Sequence, residues 1–415
     1  MSSESGLIPT PTSPSPIALY IHIPFCETKC NYCNFNTYAH LSHLVAPYVK
    51  ALETEIALWG DRLGHPEVHT VFFGGGTPSW LPVESIAGIL DAGRKAFRFE
   101  PGAEITAEAN PGDVVPAKLD AWRAMGINRV SMGVQSFDDR LLTLLSRRHP
   151  AAEAVTAFKT LQAAGFENLN LDLIYGLPHQ TLDTWRDSLN TALSLSAEHL
   201  SLYALTVEEG TPLWKEVKEG RVPPTDADAA ADMYEMAEST LGSAGYEHYE
   251  ISNWAMPGRE CQHNLVYWRN GPFLGVGPGA HSYLEGARFW NIKSPAEYIR
   301  RLTEGRRLTE GRRAAAQPAT RMSASPIAGI PVVEERQVLE GADLVAETLI
   351  LQLRLDEGAD AGELSKLFGL GAMAPHLETL RRFVEIGLLH EEAGIFRLTP
   401  RGRLLSNELF VRLLP

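Results

Sequence analysis

Short apolar segments alternate with amphipathic segments over the first half of the chain. The apolar segments have the length and residue types of β-strands, and each is followed by apolar residues at helical spacing. The predicted strands are 19–25, 69–73, 103–111, 128–136, 168–176 and 199–206. The predicted helices are 44–63, 83–97, 116–124, 139–145, 151–164 and 181–195. This alternation predicts an α/β fold with a parallel sheet, and its strand–helix units fit a partial (β/α)6 barrel.

Glycines and polar residues mark the carboxyl ends of these strands. They are Cys26, Gly75, Glu108, Gln135, Asp172 and Tyr203. Ligands bind beyond the carboxyl ends of parallel strands, so we expect these residues to share one site. Asp172 is the most informative, because it interrupts an apolar strand where an unpaired charge would be costly. We therefore expect a ligand or a paired arginine beside it, whereas Arg147 and Arg148 are more typical of a solvated helix end.

A cluster of cysteines follows the first strand. Three of the four cysteines, Cys26, Cys30 and Cys33, are spaced Cys-x3-Cys-x2-Cys. Thiolates are soft ligands that suit iron–sulfur clusters and zinc. Three of them can hold three irons of a [4Fe–4S] cube and leave the fourth iron open. Zinc is the alternative, although zinc sites usually take their ligands in two pairs and this loop offers a single triplet.

Length, charge and composition narrow the classes of function. The chain has 415 residues, which favours two domains, and its net charge of −14 disfavours a nucleic-acid partner. No run of about 18 apolar residues is present, so we expect no transmembrane span. The segment 1–16 is rich in Ser and Pro, which predicts a disordered leader and not a signal peptide. Few, clustered cysteines fit a reducing cytoplasm.

The cysteine motif, with Tyr32 before its last cysteine, resembles the signature of the radical S-adenosylmethionine (SAM) enzymes. The resemblance implies a [4Fe–4S] cluster whose free iron binds the amino and carboxylate groups of SAM. Three further motifs resemble the branch of the oxygen-independent coproporphyrinogen III oxidases and their relatives: Phe73-Gly-Gly-Gly-Thr-Pro-Ser, Gly133-Val-Gln-Ser-Phe and Asp172-Leu-Ile-Tyr-Gly-Leu-Pro. By this resemblance SAM contacts Tyr20, Tyr32, Gly75, Gly76, Thr77, Glu108 and Ala204. A second SAM in the oxidases implies a role for Gln135, Arg147 and Asp172.

One position separates the relatives within this branch. The oxidases carry a fourth cysteine two positions after the third, where this chain has Phe35. In this respect the chain resembles the HemW-type haem chaperones. The segment His263-Asn264-Leu-Val-Tyr267-Trp268 also resembles their His-Asn-x-x-Tyr-Trp haem motif. Imidazole is a usual axial ligand of haem iron, and aromatic rings pack well on a flat macrocycle.

Other interpretations of this region remain open. A core histidine that is hydrogen-bonded beside packing aromatics is the alternative for His263. Cys261 is either a second haem ligand or, as we favour, a small buried residue. The Gly-rich segment 272–283 is expected to close the mouth of the barrel, and His281 within it is a weaker ligand candidate.

The rest of the chain predicts a second domain. We assign 17–305 to the barrel with the haem motif, and 306–338, rich in Ala, Pro, Ser and Arg, to a flexible insertion. The segment 339–415 predicts helices at 343–353, 361–368 and 373–386, a hairpin at 388–398 and a last helix at 401–414. Three helices and a hairpin resemble a winged-helix domain, and the family that the motifs resemble has such a domain at this position. Mixed charge disfavours DNA binding by it.

The resulting hypothesis is a cytoplasmic haem chaperone that binds a [4Fe–4S] cluster, SAM and haem and delivers haem to apo-haem proteins. Membrane respiratory enzymes are candidate recipients, which would place the protein at the inner face of the membrane, and a homodimer is a candidate assembly. The alternative is a radical SAM oxidase that decarboxylates the propionates of coproporphyrinogen III. A third hypothesis is a radical SAM enzyme with an unrelated substrate.

Overall fold

The computed structural model describes residues 16–313 and 327–414. The strands in chain order are β1 (Ile17–Ile23), β2 (Phe25–Cys26), β3 (Tyr38–Ala39), β4 (Glu67–Gly75), β5 (Arg98–Ala109), β6 (Arg129–Gln135), β7 (Leu169–Tyr175), β8 (His199–Ala204), β9 (Glu247–Glu250), β10 (Asn253–Ala255), β11 (Phe273–Val276), β12 (His281–Leu284), β13 (Ala287–Asn291), β14 (Val333–Val338), β15 (Ala359–Asp360), β16 (Leu389–Glu392) and β17 (Ile395–Leu398). The helices are α1 (Val45–Leu63), α2 (Val83–Ala96), α3 (Pro116–Ala124), α4 (Asp139–Leu144), α5 (Ala151–Ala163), α6 (Leu182–Ser194), α7 (Pro212–Lys218), α8 (Ala227–Ser243), α9 (Gln262–Trp268), α10 (Pro295–Arg313), α11 (Gly341–Leu353), α12 (Ala361–Phe368), α13 (Leu370–Glu385), α14 (Pro400–Leu404) and α15 (Ser406–Leu413).

The main sheet has twelve strands in the described part of the chain, in the order β14-β13-β12-β11-β1-β4-β5-β6-β7-β8-β10-β9. The six predicted strands are its centre, and they run parallel to one another. Within residues 16–313 and 327–414, β14 and β9 do not pair with each other, so the sheet stays open. The predicted α/β fold with a partial (β/α)6 barrel is therefore confirmed. The sequence did not reveal β11, which extends the parallel sheet beyond β1.

Alternation along the strands divides the barrel into an outer core and a lumen. On β1, Leu19, Ile21 and Ile23 are at most 1% exposed and pack in the outer core with the helices. Tyr20 and His22 alternate with them and therefore face the opposite side of the sheet. Full burial of a large apolar side chain contributes about 1.5–3 kcal/mol, so the outer core fixes the strands. The lumen is left to polar and aromatic residues.

The C-terminal domain combines α11, α12 and α13 with a small sheet in the order β15-β17-β16. The predicted hairpin turns at Ala393 and Gly394, which both have positive φ (52° and 82°), as a two-residue turn of type I′ requires. The predicted last helix is interrupted at Leu405, where α14 ends and α15 begins. The three helices and hairpin of the winged-helix prediction are present.

The predicted flexible insertion 306–338 is wrong at both of its ends. Helix α10 continues to Arg313, since Arg, Leu and Glu are good helix formers that a composition argument overlooks. Strand β14 pairs antiparallel with β13 at the edge of the sheet, and its residues from 334 onward are exposed. Because of this exposure, its sequence lacks the apolar alternation from which a strand could be predicted. Residues 314–326 lie outside the described part, as do 1–15 of the predicted leader.

The two domains contact each other beside β9 and α9. The backbone N–H of Asp356 donates to the carbonyl of Tyr249 at 3.0 Å. Arg403 bridges Glu238 on α8 and Asp356. Across residues 16–313 and 327–414, we find no helix with the length and apolar character that a membrane span requires.

Candidate cofactor site

A cavity of about 440 Å³ opens at the carboxyl edge of the parallel strands, under the cysteine loop. Its walls contain almost every residue that the sequence assigned to cluster and SAM. These are Cys26, Cys30, Tyr32, Cys33, Gly75, Gly76, Thr77, Glu108, Gln135, Arg147, Asp172 and Ala204. The ends of strands β4 to β8 place most of these residues there, as expected for ligand sites of parallel sheets, and β2 with the loop after it contributes the cysteines.

The cysteine loop presents three free, partly buried thiols to this cavity. Thr77 Oγ1 donates to Cys26 Sγ at 3.4 Å, and Arg147 Nη1 donates to Cys30 Sγ at 3.4 Å. In the described ranges, no three Cys, His or acidic side chains converge on one ion position. Such convergence is not needed for a [4Fe–4S] cube, in which each thiolate binds its own iron. The thiol donor set therefore fits a cluster.

The Gly75–Gly76 turn forms the next part of the wall. Gly75 has a φ of +110°, and a Cβ there would lie 2.5 Å from Nδ1 of His22. A Cβ on Gly76 would lie 2.5 Å from the carbonyl oxygen of Phe25. Only glycine allows this approach, and without a side chain the turn lets a ligand come close to its backbone. The turn therefore suits the amino-acid end of a ligand such as SAM.

Two carboxyl groups face the cavity below this turn. Glu108 accepts a hydrogen bond from the Gly75 N–H at 3.0 Å, and burial, with Asp172 nearby, raises its pKa to about 8. Asp172 accepts from Ser131 Oγ at 3.1 Å and from Asn170 Nδ2 at 2.7 Å. Burial raises the pKa of Asp172, while these hydrogen bonds oppose the increase. Asp172 is thus held by neutral donors, the nearby charge of Arg129 also opposes the increase in its pKa, and the expected ligand stays a prediction.

Gln135 and Arg147 complete the site from β6 and the segment after α4. Gln135 has a φ of +74° at an irregularity in the pairing of β6 with β7, a strained conformation of the kind found at functional sites. Arg147 also donates to the carbonyl of Gly133. The interpretation of Arg147 as a solvated helix end is therefore wrong. Arg148 forms ion pairs with Glu27 and Asp113 at the rim.

Tyr20 is the one predicted SAM contact that the structure leaves outside the cavity wall. Its hydroxyl is 3.0 Å from Nδ1 of His22. Its ring lies 6.3 Å from that of Phe72 and 6.4 Å from that of His263. Tyr20 therefore belongs to an aromatic cluster deeper in the lumen. Residues that the motifs missed, among them Asn110 and Ser131, line the cavity instead.

His263, the predicted haem ligand, lies in the same lumen cluster. It is 1% exposed; its Nδ1 is 2.9 Å from Thr70 Oγ1 and its Nε2 is 2.7 Å from Tyr267 Oη. Its ring stacks on Phe72 at 5.2 Å, and burial lowers its pKa to about 3. Both nitrogens are engaged, so neither offers an open position to iron. The core-histidine alternative describes this geometry, and axial ligation of haem iron by His263 stays a prediction.

The packing of α9 explains this burial. Glu104 on β5 accepts hydrogen bonds from the backbone N–H groups of Gln262 and His263, both at 3.1 Å, and so anchors the start of the helix in the lumen. Cys261 is 1% exposed and donates to Glu104 at 3.6 Å, and burial raises the pKa of its thiol to about 12. It is the small buried residue that we favoured. The His263–Tyr267 spacing of four residues already indicated a same-face pair.

The other motif residues lie toward the C-terminal domain. The guanidinium of Arg354 lies over the side chain of Trp268, 4.5 Å from the centroid of the Trp268 ring. Asn264 is half-buried in α9. Together with His263 and Tyr267, these residues make α9 a plug between the lumen and α11.

The open parallel barrel and its cysteine loop define a radical SAM protein. Residues 20–192 match the family described as the radical SAM superfamily, and residues 339–405 match the HemN C-terminal domain. The superfamily implies SAM and a [4Fe–4S] cluster, which the cavity residues fit.

Relatives specify the family further. The chain is 39% identical to the Heme chaperone HemW of Mycobacterium tuberculosis, over 99% of this chain and 97% of the relative. It is 36% identical to the HemW of Bacillus subtilis, over 94% and 97%, and 35% identical to that of Escherichia coli, over 95% and 97%. The chain belongs to the HemW family of haem chaperones.

A solved structure supports the fold. The coproporphyrinogen III oxidase HemN of Escherichia coli, a radical SAM enzyme, superimposes with a TM-score of 0.81 at 24% identity, covering 97% of this chain and 90% of that chain. At this identity the likeness establishes the fold and not the activity.

Proposed function

We propose that this protein is a haem carrier that binds haem, a [4Fe–4S] cluster and SAM, and delivers haem to apo-haem proteins. One observation carries the proposal: the similarity to haem chaperones extends over 99% of the chain, through both domains. The cavity supports it because it contains the residues expected for cluster and SAM.

The residues of the cavity have distinct roles in this proposal. Cys26, Cys30 and Cys33 hold the cluster, which supplies an open iron and an exchangeable electron. The Gly75 turn and Glu108 accept hydrogen bonds from the amino group of SAM. Asp172 accepts hydrogen bonds from SAM hydroxyls when it is ionised.

Phe35 favours the carrier over the oxidase. Its side chain is 65% exposed and lines the mouth of the cavity next to the cysteine loop. A phenyl ring there supplies no thiol at the position where the oxidases have their fourth cysteine. A carrier does not require that thiol, because binding and release of haem involve no decarboxylation.

The carrier proposal extends to location and partners. Free thiols fit a reducing cytoplasm. Four apolar side chains on or beside α14 and α15 are between 38% and 67% exposed: Leu404, Leu405, Val411 and Leu414. Such a surface suits transient contact with the inner face of a membrane, where respiratory enzymes receive haem, or with a second copy in a homodimer.

The test is a haem titration of the anaerobically reconstituted protein, followed by mixing with apomyoglobin as the acceptor. We expect a stoichiometric Soret band and its transfer to apomyoglobin. The matched control is Cys33→Ser, which removes one cluster ligand and leaves the rest of the chain unchanged. Absence of a Soret band with wild-type protein would overturn the carrier proposal. Release of 5′-deoxyadenosine and CO₂ with coproporphyrinogen III would support the oxidase instead.

A further inference from the structure

We propose that Asn36 is a positioning residue for the iron–sulfur cluster: its side chain fastens the cysteine loop to the turn 277–280 between β11 and β12, and Glu55 holds that turn in place. The inference rests on the cluster-binding part of the proposed function and adds the residues that place the cluster relative to the Gly75 turn. Asn36 and Glu55 both lie outside the cavity wall, so the cavity alone would assign neither of them a role.

The first step concerns the cysteine loop itself. Residues 27–37, which the structure describes throughout, contain no helix or strand. Backbone hydrogen bonds inside the loop close turns between neighbours, from the N–H of Cys33 to the carbonyl of Cys30 at 3.2 Å and from the N–H of Thr37 to the carbonyl of Phe35 at 2.7 Å. Bonds between such near neighbours do not fix the loop relative to the barrel. The positions of the three thiols therefore depend on contacts with other segments.

The second step concerns the side chain of Asn36, which uses both of its donors and its acceptor. Its Nδ2 donates to the carbonyls of Pro278 and Lys293 at 2.9 and 3.0 Å, and its Oδ1 accepts from the hydroxyl of Tyr38 at 3.0 Å. Pro278 follows β11, and Lys293 follows β13. One side chain therefore joins the cysteine loop to two segments that are more than two hundred residues away in sequence.

The third step concerns the fit of the turn 277–280. Gly277 and Gly279 have positive φ, 99° and 77°. A Cβ on Gly279 would lie 2.5 Å from Nδ2 of Asn36, and a Cβ on Gly277 would lie 2.6 Å from the carbonyl oxygen of His22. Only glycine allows this approach at either position. Because the turn packs so closely on Asn36 and on the end of β1, the loop must follow the turn.

The fourth step concerns the group that holds the turn. Glu55 on α1 is fully buried and accepts from the N–H of Gly277 at 2.8 Å and from Nδ2 of Asn291 at 2.7 Å. The hydroxyl of Tyr298 on α10 also donates to it. These donors suit an ionised carboxylate, which can only accept. Burial raises the pKa of Glu55 to about 7, and the donors oppose the increase. Glu55 thus ties the turn to α1, β13 and α10.

The fifth step connects Asn36 to both halves of the cofactor site. Asn36 is three residues after Cys33, and its carbonyl accepts from Nε2 of His22 at 3.0 Å. The ring of His22 lies against Gly75, where a Cβ would be 2.5 Å from Nδ1. Asn36 therefore stands between the thiols and the Gly75 turn. Its position sets the distance between the open iron of a cluster and the amino-acid end of SAM.

The experiment compares Asn36→Asp, Asn36→Ala and Glu55→Gln with the wild-type protein. Asn190→Asp is the matched control, because Asn190 is exposed on α6. Asn36→Asp keeps the size of the side chain but has no N–H to donate. In the cluster-free protein at pH 8, hydrogen–deuterium exchange of residues 26–38 should be about tenfold faster in both Asn36 variants. It should be about two- to fivefold faster in Glu55→Gln, although the described hydrogen bonds of Glu55 all lie outside that segment.

The reconstituted protein gives a second readout. The Asn36 variants keep the three cysteines and should bind the cluster, yet they should lose iron to a chelator about five- to tenfold faster. SAM should also cause a smaller change in the EPR spectrum of their reduced cluster. That change reports the geometry between iron and SAM, which a merely structural role of Asn36 would not alter.

Three outcomes would contradict the inference. Exchange and iron release equal to those of Asn190→Asp would overturn it, while a cluster in the wild-type protein upheld the cluster-binding part of the proposed function. Equally faster exchange in residues 26–38 and in the hairpin 388–398 would also overturn it, because it would indicate a loss of global stability. Absence of a cluster in the reconstituted wild-type protein would overturn both proposals.

Discussion

Substitution of Gly75 by alanine should destabilise the protein by about 2–4 kcal/mol, whereas the same change at Gly64 should cost only about 1 kcal/mol. Both glycines have positive φ, 110° and 71°, so alanine has a strained backbone at both positions. Alanine also restricts the unfolded chain, which offsets part of this strain and leaves a net destabilisation of about 1 kcal/mol. Gly64 has no atom within 4 Å of its Cβ position, but at Gly75 the Cβ would lie 2.5 Å from the His22 ring. Overpacking of that kind adds about 1–3 kcal/mol.

The assay is urea unfolding of both variants and the wild-type protein, with SAM binding measured on the folded proteins by calorimetry. Because the Gly75 N–H donates to Glu108, displacement of this turn should also weaken SAM binding, and Gly64→Ala should leave it unchanged. Gly64 caps the C-terminal end of α1 and is not among the residues that line the cavity. Equal destabilisation by the two substitutions would refute the steric argument, because the backbone term alone would then account for both.

The remaining predictions concern individual side chains of the cavity and lumen. Arg147→Met should lower the cluster's reduction potential, measured by an EPR-monitored titration, because it removes a positive charge and a hydrogen bond to the sulfur of Cys30. Cys33→Ser should lose cluster iron in an iron and sulfide assay, whereas Cys261→Ser should retain it, since Cys261 is buried beside Glu104. Burial raises the pKa of Glu108 from 4.5 to about 8, so the folded state favours its protonated form. The stabilisation of the folded protein by protonated Glu108 is complete below about pH 4.5. It is lost as the pH rises to about 8, and the free energy of unfolding falls by about 1.4 kcal/mol per pH unit between the two pKa values. Urea unfolding at pH 5 and pH 9 should therefore show wild type losing stability relative to Glu108→Gln, and an unchanged difference would contradict this reasoning.

Periodicity predicted the central barrel because each of its strands is buried by helices on one side. The predicted helix at 116–124 has the observed bounds of α3, since Pro116 fixes the first turn. The predicted helix at 151–164 exceeds α5 by a single residue. In these elements the local pattern and the tertiary packing agree, so the sequence alone was sufficient.

Strands outside that centre could not be predicted in the same way. Strand β11 has four residues in a Gly-rich segment, and it becomes a parallel strand only because β1 is free on that side. Strand β14 is polar and exposed, and its pairing with β13 depends on a partner more than forty residues earlier. Both elements exist through long-range pairing, which leaves little trace in local periodicity.

The candidate site shows the same division. Strand ends located Gly75, Glu108 and Asp172, because a parallel sheet brings its carboxyl ends together. The depth of a side chain was not predictable in this way. Tyr20 lies on the predicted strand but faces an aromatic cluster in the lumen, and the direction in which α9 inserts decides that His263 is buried.

The polar lumen gives the His-Asn-x-x-Tyr-Trp segment a structural role. Buried polar groups require partners, and α9 supplies them: His263 bonds to Thr70, and the start of the helix bonds to Glu104. A barrel of this kind needs such a plug whether it carries haem or decarboxylates a porphyrinogen. The motif therefore does not discriminate between the two functions, whereas the exposed Phe35 at the mouth of the cavity does, because it stands where the oxidases have their fourth cysteine.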